Sequence, residues 1–337
     1  MNENRDAMIE SLKEVQSKQQ SEILSYQNVV GVGVGKKISN GVETEEHCLS
    51  VFVDQKLPLD VIHKSSRIPR TIDSLKTDVV ETGVIFAGVG PMAPAEPELT
   101  AHTGPMVRED LTAELLANRI RPAEGGYSVG HYKITAGTYA TAVNDTQPFP
   151  GMPRHTYILS NNHVLANSNN ARIGDPILQP GPYDGGTVGA DTIARLSRFI
   201  PIRFITPTST PVNLVDAALA EGRFQDLDRE IFWIGYAKGA VAPTIGMLVQ
   251  KTGRTTNYTT GRIIAVNATV NVNYGSGQIA RFERQIVTGA MSAGGDSGSL
   301  LLDMDSRAVG LLFAGSSQAT IFNDIRYVQQ LLGIRIS

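Results

Sequence analysis

The chain has 337 residues, 41% of them hydrophobic and 19% charged, with a formal net charge of −3 at pH 7. That mix excludes a wholly disordered or coiled-coil protein, and the length suits about two domains at ~100–200 residues each. Cys48 is the one cysteine, so no internal disulfide can form and a disulfide-stapled secreted fold is excluded. Charge is uneven: residues 1–126 hold 13 Lys+Arg against 19 Asp+Glu, and residues 127–337 hold 17 against 14. Neither part carries the clustered basic surface of a nucleic-acid footprint, so no nucleic-acid partner is expected.

The first twenty residues are polar and charged, without the apolar run of a secretory signal. No uncharged apolar stretch approaches the ~18 residues that a membrane helix needs. A cytoplasmic location without a membrane partner is therefore expected. Within residues 4–27, Met8, Leu12 and Val15 fall at helical spacing ahead of Ile23 and Leu24, which predicts an amphipathic helix. Such a helix packs on its own domain or, alternatively, joins copies of the chain into a homo-oligomer through the N-terminal region.

Next, VVGVGVGKK (29–37) and CLSVFVDQ (48–55) flank a Ser39-Asn40-Gly41 turn and predict a hairpin. The run Gly31-x-Gly33-x-Gly35 lacks the spacing of a phosphate loop and has no helix after it, so its glycines suit close backbone packing. TDVVETGVIFAG (77–88) reads as one further strand. Residues 1–90 thus form a small α/β domain of unassigned role. Prolines mark 88–106 as a linker and REDLTAELLANRI (108–120) as a short helix, so 91–125 joins the two parts. From residue 126 to 337 short strands and glycine turns alternate, closing with a helical pattern in FNDIRYVQQLLGI (322–334), as in a β-barrel or sandwich.

The sharpest motif is GGDSGSLL, Gly294–Leu301. A serine becomes a nucleophile only beside a base and near donors that hold the developing oxyanion. Gly295 lets the backbone turn so that the N–H groups of Gly295 and Ser297 aim at one spot, and Gly298 keeps the hydroxyl uncovered. Upstream, the apolar run TYILSNNHVL (156–165) ends in His163, and NLVDAALAE (213–221) opens an alternating strand with Asp216. His155 is a nearby competitor to His163 but sits in a loop; Asp175 and Asp191 compete with Asp216 from Gly-rich turns. No histidine pair has metal-ligand spacing, so neither metal nor other cofactor is expected.

These motifs resemble the chymotrypsin-type (trypsin-like) serine peptidases. LSNNHV, VDAALA and GGDSGS stand in the family's order, 53 and 81 residues apart, joined by KTGRTTNYTTGRI (251–263) and AVGLLFAGSS (308–317). The resemblance covers about residues 126–337. It implies a mainly β fold of two six-stranded antiparallel β-barrels with a C-terminal helix, and a serine endopeptidase acting on protein or peptide substrates. His163, Asp216 and Ser297 become the triad, with the amides of Gly295 and Ser297 as the oxyanion hole. Met291 corresponds to the floor of the primary pocket, with Ser292, Phe313, Ala314 and Gly315 as further lining. An uncharged Met291 points to small or medium apolar side chains at the cleaved position. The backbone of residues 313–315 is expected to pair with an extended substrate. Asp296 helps to organise the oxyanion loop, with no partner identifiable from sequence. The pattern GVGVG…VFVD…TDVVETG in residues 1–125 is similar to the N-terminal region of Narrow Leaf type intracellular peptidases. The alternative is a catalytically silent scaffold or peptide-binding protein on the same fold; an esterase is disfavoured because the G-x-S-x-G elbow is missing.

Overall fold

The computed structural model describes residues 2–39, 42–88, 115–146 and 155–336, with side chains from residue 5 onward. The expected Asn40-Gly41 turn and most of the expected linker and its helix lie outside the described residues. The protein is mainly β, as expected; each half encloses apolar side chains, and a shared core of Leu159, Val215, Leu219, Leu300, Leu311 and Ile325 joins them. In the first half the strands Thr156–Ser160, Ala218–Gly222 and Thr192–Phe199 are neighbours in one sheet, enclosing Val129, Ile158, Ile177, Leu196 and Ala220. In the second, Leu248–Gly253, Asn257–Asn273, Ile279–Gly289, Leu300–Asp303, Ala308–Gly315 and Ala319–Asp324 belong to one sheet of twelve strands. Its side chains Val249, Ile263, Leu301, Leu312 and Phe322 form one core, and Phe282, Phe313 and Ile321 another.

The expected C-terminal helix runs Ile325–Leu332, one turn shorter at its start than its pattern, because Phe322–Asp324 pair as strand. Asp324 caps it by accepting from the Arg326 N–H, and Gly333, at φ +66°, ends it in the left-handed region.

The N-terminal helix Asn2–Ile23 buries Leu12 and Val15 against Val34 and Leu49, while Ile23 and Leu24 pack on Val32 and Val51. The hairpin of Val29–Ser39 and Val42–Val53 is present, and it is no separate sheet. Val29–Ser39 also pairs antiparallel with Asn257–Asn273 of the second half. Here the glycine run finds its physical reason. A Cβ on Gly31 would lie 2.9 Å from Val270 Cγ1, and one on Gly33 3.1 Å from Ala268 Cβ, so only glycine admits this approach. Gln16 Nε2 of the helix donates to the Asn267 carbonyl at 2.7 Å, sealing the same seam.

The single strand expected over 77–88 is instead two, Leu75–Glu81 and Phe86–Ala87. Gly83, at φ +71°, breaks the extended run between them. Leu75–Glu81 lies parallel to Val42–Val53, and the chain then crosses to the second half, where Phe86–Ala87 joins the edge of Ala308–Gly315.

Candidate active site

His163 sits in the single-turn helix Asn162–Leu165, immediately after the strand Thr156–Ser160. Asp216 lies just ahead of Ala218–Gly222 and is fully buried. Its backbone is held on both sides: the N–H donates to Asn323 Oδ1 at 2.9 Å, and the carbonyl accepts from Asn161 Nδ2 at 2.7 Å. A buried carboxylate needs donors in place of water. Three serve here. His163 Nδ1–H donates to Oδ2 at 2.6 Å, the Tyr274 hydroxyl donates to the same oxygen at 2.7 Å, and the His163 backbone N–H reaches Oδ1 at 3.1 Å. Burial, reinforced by the Asp216 charge, pushes the Tyr274 phenol well above its usual range, so it remains a donor.

With Nδ1 committed to Asp216, the imidazole presents Nε2 as its acceptor. Nε2 is buried and has no hydrogen-bond partner among the described residues, so the Ser297 hydroxyl does not close that bond in this arrangement. Bonds of this kind commonly tighten only around substrate.

Ser297 reaches the same seam through glycine geometry. Gly295 and Gly298 have φ +98° and +101°. A side chain on Gly295 would strike Thr255 Oγ1, and one on Gly298 would strike Ser160 Oγ and the Thr138 carbonyl. Thr138 joins the halves: its N–H donates to the Ser297 carbonyl at 2.7 Å and its hydroxyl to the Gly295 carbonyl at 2.9 Å. Ser160, three residues before His163, therefore packs directly on the turn that carries Ser297. Among the described residues the N–H groups of Gly295 and Ser297 donate to nothing, which leaves two free donors beside the hydroxyl.

Asp296 has a partner that sequence reasoning missed. Lys251 Nζ lies 3.1 Å from Asp296 Oδ2, and both side chains are fully buried. The carboxylate also accepts from the N–H groups of Ala293 at 3.0 Å, Thr255 at 2.8 Å and Thr256 at 3.1 Å, and from the Thr256 hydroxyl at 2.5 Å. These bonds tie the loop that carries the two free amides to Thr255 and Thr256. Burial pulls the Lys251 ammonium below its ordinary range and Asp296 opposes that pull.

The expected pocket residues divide. Met291 packs with Val249, Ile263, Leu312 and Phe322, and Phe313 lies tilted against Phe282, ring centroids 4.7 Å apart, in the neighbouring core. Their apolar side chains are both buried. Ser292 and Gly315 adjoin each other, since a Cβ on Gly315 would lie 3.4 Å from Ser292 Oγ, and Ser292 Oγ is 2.9 Å from Thr320 Oγ1. Ser292, Gly315 and Thr320 thus form an uncharged cluster with two hydroxyls.

The edge expected to receive substrate is already paired. Phe86 stands opposite Gly315 and Ala87 opposite Ala314, antiparallel, while Phe86 also pairs with Asn273 across the gap. Gly88 follows against the His163 ring: a Cβ there would sit 3.7 Å from Cδ2 and 3.8 Å from Nε2.

No family model matches the chain. Over 93 residues it is 39% identical to glutamyl endopeptidase 2 of Streptomyces griseus, covering 28% of this chain and about 40% of that protein's length. Among solved structures, Cellulomonas bogoriensis chymotrypsin is 20% identical with a TM-score of 0.44, covering 64% of this chain and 97% of its own. A glutamic acid-specific serine protease that uses a histidine triad in substrate binding is also 20% identical, with a TM-score of 0.44 and coverage of 64% and 100%. These relatives are serine proteases of chymotrypsin type, and it is to that family that the chain is similar.

Proposed function

We propose that the chain is a serine endopeptidase working through an acyl-enzyme. Ser297 Oγ attacks the substrate carbonyl carbon while His163 Nε2 takes the hydroxyl proton. The carbonyl oxygen becomes an oxyanion held by the Gly295 and Ser297 amides. As the peptide C–N bond breaks, His163 returns the proton to the leaving amine, and water repeats the sequence on the ester. Asp216 holds the imidazole in the required tautomer and balances its transient charge.

The observation that carries this reading is the combination at His163: one nitrogen tied to a fully buried carboxylate, the other buried with no partner among the described residues. An unsatisfied buried polar atom costs about 1–3 kcal/mol, a cost that makes sense where a reacting proton is to be received. The uncharged hydroxyls of Ser292 and Thr320 beside Gly315 favour small or medium uncharged side chains at the cleaved position. All six histidines lie at or before position 163, so the second half has none with which to recognise a glutamate side chain.

A second reading, a peptide-binding scaffold without turnover, draws on the occupied substrate edge. The test is labelling by a fluorophosphonate at pH 8, in the wild type and in a variant with residues 85–88 loosened. Labelling that disappears in Ser297→Ala supports the peptidase. Absence of label in both folded proteins refutes it and leaves the scaffold.

A further inference from the structure

The mechanism has no use for residues 82–88, yet these residues are built into the groove. We infer that the segment Thr82–Gly88 is an internal substrate mimic, a strand of this chain that occupies the binding edge for extended peptides and must leave before one can enter. The inference rests on the peptidase reading only for its consequence, because occupation itself is a binding property.

The segment is held at several points along its length. The Thr82 N–H donates to the Val53 carbonyl at 2.9 Å, and its own carbonyl accepts from the Ser316 hydroxyl. The Ile85 carbonyl accepts from the Asn273 N–H at 2.9 Å, and its side chain is 1% exposed within the core that holds Phe313 and Ala314. Phe86 and Ala87 then take the antiparallel register on Gly315 and Ala314. Backbone pairing of this kind supplies affinity, and alternate side chains supply selectivity.

At Gly88 the likeness to a substrate ends. An extended peptide continues in β conformation towards the nucleophile, whereas Gly88, at φ +70°, turns out of the strand beside the His163 ring. The segment thus binds as a substrate does without presenting itself as one. Its tether to the strand Leu75–Glu81 holds it at an effective concentration on the order of millimolar or more, against which a free peptide of ordinary affinity competes poorly.

The geometry also supplies the test. A Cβ on Gly83 would lie 3.6 Å from Ser316 Cβ, within the ~3.5–4.5 Å that a disulfide spans. In the Gly83→Cys/Ser316→Cys double variant, oxidation with diamide locks the segment down and dithiothreitol frees it. Any strain from a side chain at φ +71° is common to both states. The probe is a fluorescein-labelled peptide with the sequence of residues 82–88, followed by anisotropy, so the readout needs no catalysis. The reduced protein is expected to bind at least tenfold more tightly than the oxidised. Ile85→Ala, which loosens the segment by the opposite route, is expected to bind at least tenfold more tightly than wild type. Equal affinity in the two redox states, or no binding to a folded Ile85→Ala, overturns the inference. Fluorophosphonate labelling of the same samples reports separately on Ser297, so the peptidase reading can fail while the mimic stands, and the reverse.

Discussion

Lys251→Met tests whether the Gly294–Gly298 loop, proposed to hold the oxyanion, is held by a buried charge pair. Methionine keeps the apolar stem and roughly the volume, and it removes only the ammonium. Asp296 is then a fully buried carboxylate without its cation. Removing one partner of a buried pair costs ~3–5 kcal/mol, because the remaining charge is desolvated and unpaired. Three backbone N–H groups and the Thr256 hydroxyl still point at Asp296, so the lower end, about 3 kcal/mol, is expected. The kinetic effect is separate. Gly295 and Ser297 stand on either side of Asp296, and a shift that misdirects one amide costs about 10²–10³ in kcat. Urea midpoints measure the first effect and the rate of fluorophosphonate labelling the second. A variant that unfolds within about 1 kcal/mol of wild type and labels at an unchanged rate refutes the reasoning.

Tyr274→Phe removes one of the three donors to Asp216. A hydrogen bond to a charged group is worth ~1.5–3 kcal/mol, so kcat on a peptide substrate should fall about tenfold or more with little change in KM; a change confined to KM contradicts the assignment. Burial, then Glu230 and Asp228, raise the Glu124 carboxyl from its usual range to about 6. The native state therefore binds a proton more readily than the unfolded chain, and this group's effect on stability declines as pH rises from about 4.5 to 6 and stays unfavourable above that. Glu124 is only partly buried, so Glu124→Gln should gain no more than about 1 kcal/mol at pH 7 and nothing at pH 4. Equal gains in urea midpoint at both pH values would show that charge is not the cause. Burial pushes the Cys48 thiol up to about 11, so iodoacetamide at pH 8 should modify it only on unfolding, as mass spectrometry would show.

The parts of the site legible in the sequence are those where chemistry fixes a residue type locally. Glycine at 295 and 298 is required by left-handed backbone with a neighbour where a Cβ would be, and that requirement leaves a readable string. His163 and Asp216 stand at the ends of apolar runs because each must be anchored on a buried strand. Lys251 left no such mark. A lysine in a strand normally faces water, and only the pairing of Leu248–Gly253 with Asn257–Asn273 turns this one inward, 45 residues before its partner. Tyr274 is hidden in the same way, since its value lies wholly in contact with Asp216, 58 residues upstream. The orientation of Phe313 could not be counted from alternation. Nearly all of Ala308–Gly315 is buried, and its register on Ala319–Asp324 shifts between Leu312 and Ala314, which breaks the two-residue period.

The N-terminal unit and the strand that leads to Tyr274 share one sheet, and the glycine strand joins them. Val29–Ser39 pairs on one side with Val42–Val53 and on the other with Asn257–Asn273, the strand that runs directly into Tyr274 and so to Asp216. Leu75–Glu81 lies parallel to Val42–Val53 and launches the groove-filling segment from the same sheet. Anything that displaces Val29–Ser39 therefore acts at two places, the donor that steadies Asp216 and the launch point of the mimic. Gly33→Val sets the two effects against each other. Its side chain would push on Ala268, which a Cβ already approaches to 3.1 Å, and overpacking of this kind costs ~1–3 kcal/mol. If the sheet transmits the displacement, binding of the peptide probe should tighten while labelling of Ser297 slows. Loss of stability alone, with both readouts at their wild-type values, would show that the two ends of the sheet are mechanically independent.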